Sequence, residues 1–156
     1  MQSPHRVILI TGASSGIGAA TALALAAPNT AIVLHAHKNR VGADKIAGQV
    51  RDAGAETLVL AGDLAEPGVA RRLVEETAAK FGRLDVVVSN AGFADRRPIG
   101  EVDRAGWDAS LATMTSAFFE LATAAKPWLT KAGQGGRMIG VSSFVAHAFA
   151  RGVMTF

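Results

Sequence analysis

Val7-Ile8-Leu9-Ile10-Thr11-Gly12-Ala13-Ser14-Ser15-Gly16-Ile17-Gly18 reads as an apolar strand running into a glycine-rich turn, and the Ala-rich stretch from Ala19 to Ala27 behind it reads as a helix. Glycine lets the backbone turn tightly and approach a pyrophosphate that a side chain with a Cβ would block. The helix start adds unpaired N–H groups and the positive end of a dipole. Strand, glycine turn and helix in that order suit a bound dinucleotide. Taken alone, the same glycines also suit a structural turn.

The rest of the chain repeats the alternation. Short β-branched runs near 6–11, 31–36, 57–61, 84–89 and 137–142 predict strands, and longer patterns near 17–27, 41–53, 68–81 and 104–131 predict helices. Such alternation calls for a parallel sheet with right-handed crossovers and helices on both faces. Pro28-Asn29, Gly54, Gly82 and the cluster from Gly133 to Gly136 supply the breaks. No repeat, linker or low-complexity segment interrupts the chain, so residues 1–156 form a single domain.

In a doubly wound sheet the ligand sits at the carboxyl ends of the strands, where the winding reverses. Gly12 to Gly18, His35 to Arg40, Asp63-Leu64, Asn90 to Gly92 and Ser142-Ser143 all fall there.

Composition narrows the function classes. A chain of 156 residues, 49% apolar and 19% charged, suits one soluble globular domain with a substantial core. The absence of cysteine removes disulfides, thiolate catalysis and cysteine–zinc sites, and fits a reducing compartment. His5, His35, His37 and His147 lack metal-ligand spacing and read as ordinary strand-end or loop residues. The net charge of +3 is spread along the chain, which argues against nucleic acid. No apolar run is long enough to span a bilayer and no signal-peptide pattern opens the chain, so neither a membrane partner nor export is expected and the expected location is the cytoplasm.

The spacing T-G-x-x-x-G-x-G from Thr11 to Gly18 resembles the short-chain dehydrogenase/reductase family more than the tighter G-x-G-x-x-G of other dinucleotide-binding folds. Asp63-Leu64, Ser89-Asn90-Ala91-Gly92, Trp107 and Gly136-Arg137-Met138-Ile139-Gly140-Val141-Ser142-Ser143 follow in the family's order and separation. The chain is similar to members of the 3-oxoacyl-ACP reductase kind and covers roughly the amino-terminal two-thirds of the family pattern. The resemblance implies an α/β fold of Rossmann type, a doubly wound parallel sheet with helices on both faces, whose carboxyl-terminal part lies outside this chain. It also implies an oxidoreductase that moves hydride between a nicotinamide cofactor and a small carbonyl or alcohol substrate.

For the cofactor, an acidic residue at the end of the second strand would accept hydrogen bonds from the adenosine ribose. Ala36 stands at that place and cannot. His37, Lys38 and Arg40 around it suit a 2′-phosphate, so NADP is expected over NAD. Lys38 and Arg40 also fit the start of a solvated helix. By resemblance, the candidate cofactor-binding residues are Thr11, Gly12, Ser14, Ser15, Gly16, Ile17, Gly18, His37, Lys38, Arg40, Asp63, Leu64, Asn90, Ala91 and Gly92. Asp63 would meet the adenine amino group, Leu64 would contact it by backbone, and Asn90 and Gly92 would flank the ribose. Ser89 stands where the family more often has a second asparagine.

The catalytic reading is divided. Family members combine serine, tyrosine and lysine, supported by an asparagine: the tyrosine exchanges the proton, the lysine lowers its pKa, and the serine orients the carbonyl. Ser143 matches the family serine. The chain has no tyrosine, and the family's tyrosine position falls on Phe156, which has no transferable proton. The asparagine position falls on Met114, on an apolar stripe with Trp107, Leu111, Phe118 and Leu121 that reads as packing. Two alternatives stand: part of a longer oxidoreductase whose Tyr-x-x-x-Lys motif lies past Phe156, or a degenerate member that binds nucleotide without turnover. Either way the 156-residue chain is expected to be inactive by itself.

Arg96 and Arg97, in the loop from Phe93 to Gly100, read as a solvated loop or as an attraction for acidic substrates. By resemblance, the helix near 104–131 is a homo-oligomer surface, with Leu111, Met114, Phe118, Leu121 and Ala125 poorly covered.

Overall fold

A computed structural model describes residues 4–98 and 100–143. Its five strands are β1 (Arg6–Ile10), β2 (Thr30–Ala36), β3 (Glu56–Ala61), β4 (Val86–Ser89) and β5 (Arg137–Gly140). All pair in parallel, in the order β3-β2-β1-β4-β5. The chain winds outward from β1 to β3, then returns past β1 to β4 and β5. The winding therefore reverses between β1 and β4, where Ile8 to Ile10 face Val86 to Val88 in register.

The inner strands β1, β2 and β4 are mostly apolar because both faces of the sheet are covered there, whereas the edge strands β3 and β5 are only partly buried. Ile8, Ile10, Ile32 and Leu34 point to one side, under α1 (Gly16–Leu25) and α2 (Arg40–Asp52), and meet Ala22, Ala47 and Val50. Val7, Leu9, Val33 and Val87 point to the other, under α3 (Val69–Phe81) and the final helix, and meet Leu73, Val74, Leu121 and Ala125. Adjacent strand residues thus serve opposite faces, the period-two rule of a strand.

Punctuation is local. Asn39 caps α2 by accepting from the Gly42 N–H at 3.0 Å, and Gly82 ends α3 in the left-handed region at φ 71°. Under the sheet, Asp85 is buried and accepts from the Val7 N–H at 2.7 Å, while its carboxylate takes Arg83 Nη2 at 2.6 Å.

The helix expected near 104–131 is continuous but not uniform. It comprises α4 (Arg104–Ser110), a π-helical turn (Leu111–Ser116) and α5 (Ala117–Lys131), with Pro127 inside the last. The wider i→i+5 turn inserts an extra residue and rotates the faces on either side of it. The expected stripe is thereby split: Leu121 and Ala125 are buried against the sheet and α3, whereas Trp107, Leu111 and Phe118 are exposed. It is neither one packed stripe nor one open face. Phe119, beside it, is 69% exposed.

Candidate functional site

The turn after β1 is built around two close approaches. Gly18 sits so near the Gly12 carbonyl oxygen and Asn90 Nδ2 that a Cβ there would overlap both. Gly16 differs: its φ of +56° favours glycine, yet nothing lies within 4 Å of where a Cβ would stand. Open space therefore borders the amino end of α1, where Ser15 occupies the cap position with no side-chain cap hydrogen bond. The first helical N–H groups have no partner within the helix.

Thr11 is fully buried beneath the turn. Its hydroxyl accepts from the Asn90 N–H at 2.9 Å and the Ala91 N–H at 3.0 Å. Asn90 returns the contact, donating from Nδ2 to the carbonyls of Thr11 at 2.9 Å and Gly12 at 3.2 Å. The loops after β1 and β4, on the two sides of the switch point, are thus one hydrogen-bonded unit.

A cavity of about 610 Å³ opens over this unit. Of the expected cofactor residues, Gly12, Ser14, Ser15, His37, Lys38, Asp63, Leu64, Asn90, Ala91 and Gly92 line it. Gly16, Ile17 and Gly18 form the first turn of α1, with Ile17 64% exposed. Thr11 lies underneath. Arg40 does not line the cavity; it opens α2 and pairs with Asp44 at 3.4 Å. His37 Nε2 stands 3.5 Å from Asp63 Oδ2, and Asp63 Oδ1 accepts from the Ala65 N–H at 2.9 Å.

Residues outside the expected cofactor set contribute as well. Asn39, Ala65, Phe93, Ala109 and Thr113 also line the cavity. Ala109, in the last turn of α4, and Thr113, in the π turn that follows, bring the long helix to the cavity wall. His35, set aside as an ordinary strand-end residue, is 1% exposed and lines the cavity floor. No pattern in the sequence separates it from the apolar run that surrounds it.

A second cavity of about 530 Å³ shares Asn90 to Phe93 with the first and extends over the end of β5. Ser142 and Ser143 line it, as do Met114 and Phe118. Met114 is therefore a wall of this cavity, with Sδ 3.3 Å from where a Gly92 Cβ would be, and not only a packing residue of the helix. Among the described residues lining it, none titrates near neutrality. Phe156, at the expected tyrosine position, lies outside the described residues.

Arg97 is not a free cation at the cavity mouth. Asp95 takes its guanidinium at 2.5 Å and Asp103 at 3.2 Å, and this pairing holds both carboxyls below the usual carboxylate range. For Asp103 the larger cause is its cap hydrogen bond from Gly106. The share of the loop's expected charge carried by Arg97 is thus neutralised by Asp95 and Asp103, while Arg96 beside it is exposed.

Among the described residues no helix is long and apolar enough to cross a membrane. None of their His, Asp and Glu side chains cluster as a metal site.

Comparison with known proteins agrees with this geometry. The chain is 33% identical over 145 residues to the short chain dehydrogenase/reductase AacuN of Aspergillus aculeatus, covering 93% of this chain and 54% of that protein. A short chain dehydrogenase from Burkholderia cenocepacia, solved in complex with NADP, superposes with a TM-score of 0.89 at 30% identity, over 96% of this chain and 60% of that one. A 3-oxoacyl (acyl-carrier-protein) reductase from Agrobacterium tumefaciens, solved with NADP bound, superposes at 0.86 and 26% identity, over 96% and 57%. The chain spans about half the length of the curated relatives it matches. The family model described as short chain dehydrogenase matches residues 6–154, nearly the whole chain, and with the glycine turn at the switch point of a parallel sheet it establishes that the chain belongs to the short chain dehydrogenase family.

Proposed function

We propose that the cavity over the glycine turn binds NADP(H), in preference to NAD(H), and that the chain is the nucleotide-binding part of an oxidoreductase acting on a small carbonyl or alcohol substrate. The observation that carries the cofactor reading is the pairing of an open glycine turn with a cationic second-strand end. Gly16 leaves space for a pyrophosphate at the amino end of α1, and Lys38 and His37 line the cavity where Ala36 replaces the acid that would read an unmodified ribose. The volume of about 610 Å³ suits a ligand of that size. Both NADP-bound relatives described above support the reading.

The residues would divide the work by position. The N–H groups of the turn hold the pyrophosphate, and Lys38 supplies a charge-assisted contact to the 2′-phosphate. Asp63, Leu64 and Ala65 close over the adenine end. Asn90 to Gly92, tied to Thr11, form the wall shared with the second cavity. When bound, the nicotinamide supplies or accepts the hydride. Ser143, which lines the second cavity, would hydrogen-bond a substrate oxygen there. Relatives are expected to pair through the long helix, and exposed Phe118 and Phe119 support a self-association surface there.

A second reading, nucleotide binding without turnover, is favoured by one specific observation. The 156 residues contain no tyrosine, and Met114 stands in the cavity wall where the family asparagine is expected. Two measurements test these readings. Calorimetric titration of the chain should give tighter binding of NADPH than NADH; equal or tighter NADH binding removes the proposed preference. NADPH consumption on ketones and 3-oxoacyl thioesters should be negligible for a chain verified by mass, and robust turnover would show that another group supplies the proton.

A further inference from the structure

The imidazole of His35 joins two segments that border the proposed dinucleotide cavity. Nδ1 accepts from the Gly12 N–H at 3.3 Å, and Nε2 lies 3.0 Å from the Gly62 carbonyl. The backbone carbonyl of the same residue accepts from the Ala13 N–H at 2.8 Å. Two consecutive residues of the glycine turn therefore hang on His35, one from its ring and one from its main chain.

The ring has one consistent protonation state. A peptide N–H only donates and a carbonyl only accepts, so both ring contacts exist together when Nδ1 is bare and Nε2 carries the proton. An imidazolium would turn an N–H at Nδ1 against the Gly12 N–H and break the contact. We infer that His35, as the neutral Nε2–H tautomer, is a positioning residue that sets the shape of the glycine turn for dinucleotide binding. The role of the turn rests on the cofactor reading above; the tautomer and the contact to Gly12 do not.

The surroundings favour the neutral ring. Burial is the main influence, pushing the imidazole below its usual range against the opposing pull of the Gly62 carbonyl. His37 on the adjoining loop and Arg72 on α3 push the same way, and Asp63 after β3 pulls against them. His35, which by sequence is only a strand-end residue beside the site, stands where the end of β2 meets the segments that follow β1 and β3.

The test separates the strut from the cofactor reading. In the full chain without ligand at neutral pH, the ¹⁵N shifts of the His35 ring should show an unprotonated Nδ1 and a protonated Nε2. The opposite tautomer, or an imidazolium, overturns the inference. Slow exchange of the Gly12 amide is expected in the wild type, faster in His35→Phe, and retained in His35→Asn, whose Oδ1 takes the place of Nδ1. NADPH affinity should fall on the order of tenfold in His35→Phe and recover in His35→Asn. Unchanged Gly12 exchange and affinity in His35→Phe would refute the role. If the wild type binds no dinucleotide, the cofactor reading fails while the ring shifts and wild-type Gly12 exchange still decide the tautomer and the contact. Those wild-type readouts also serve if His35→Phe does not fold.

Discussion

Replacing Gly18 by alanine sets two effects of opposite sign against each other. Gly18 lies in the first turn of α1, and Gly→Ala in a helix is worth up to about 1 kcal/mol by propensity. The added Cβ, however, would overlap the Gly12 carbonyl oxygen and stand 2.6 Å from Asn90 Nδ2 and 2.9 Å from the Gly12 carbonyl carbon. Neither neighbour can retreat freely. The Gly12 N–H is held by His35, and the Asn90 amide by the Thr11 and Gly12 carbonyls. Overpacking against such a site costs roughly 1–3 kcal/mol. Displacing the Asn90 amide adds about 1 kcal/mol for each hydrogen bond lost. The clash therefore wins, with a net loss of roughly 2–4 kcal/mol. In a domain of this size that is a fall in melting temperature of roughly 5–15 °C. Gly16→Ala is the control: with open space around it, only the left-handed backbone strain of about 1–2 kcal/mol applies. Thermal unfolding followed by circular dichroism measures both. A Gly18→Ala protein that melts at or above the wild type, or above Gly16→Ala, would refute the reasoning.

Thr11→Val should cost roughly 2–4 kcal/mol in urea unfolding, because it strips the acceptor from the N–H groups of Asn90 and Ala91 at once. Asp85→Ala should destabilise more than Arg83→Ala, since the buried carboxylate also serves the Val7 N–H whereas Arg83 is partly in water; equal losses would contradict this. Lys38→Ala should weaken NADPH by a charge-assisted contact of roughly 1.5–3 kcal/mol and leave NADH nearly unchanged, as read by parallel titrations. For pH, burial lowers the native pKa of His35 below its ordinary value of 6.5, so the unfolded chain takes up the proton first. This contribution to stability is complete above pH 6.5 and falls as pH drops from there through the lowered native value. His35→Asn should flatten that part of a stability–pH profile.

The sequence alone determined the order of elements, the parallel sheet and the position of the glycine turn, because each is written in neighbouring residues. Val7 to Ile10 declare a strand buried on both faces, and Gly12, Gly16 and Gly18 mark the turn that follows. The cavity residues that belong to those turns, from Ser14 to Gly92, were legible for the same reason. Long-range contacts decided the rest. Thr11 could be read only as part of a motif until Asn90 and Ala91, about eighty positions away, were brought onto its hydroxyl. His35 gained its partners from Gly12 and Gly62, on loops that meet only when β1, β2 and β3 stand side by side. The π turn at Leu111–Ser116 overrode the seven-residue spacing of the apolar stripe, since periodicity assumes a helix of constant pitch. Arg97 read as a free charge because its neutralisation depends on how the loop folds Asp95 and Asp103 around it. Local patterns carry backbone conformation and burial; hydrogen-bond partners and the net charge of a site emerge only once distant segments are adjacent.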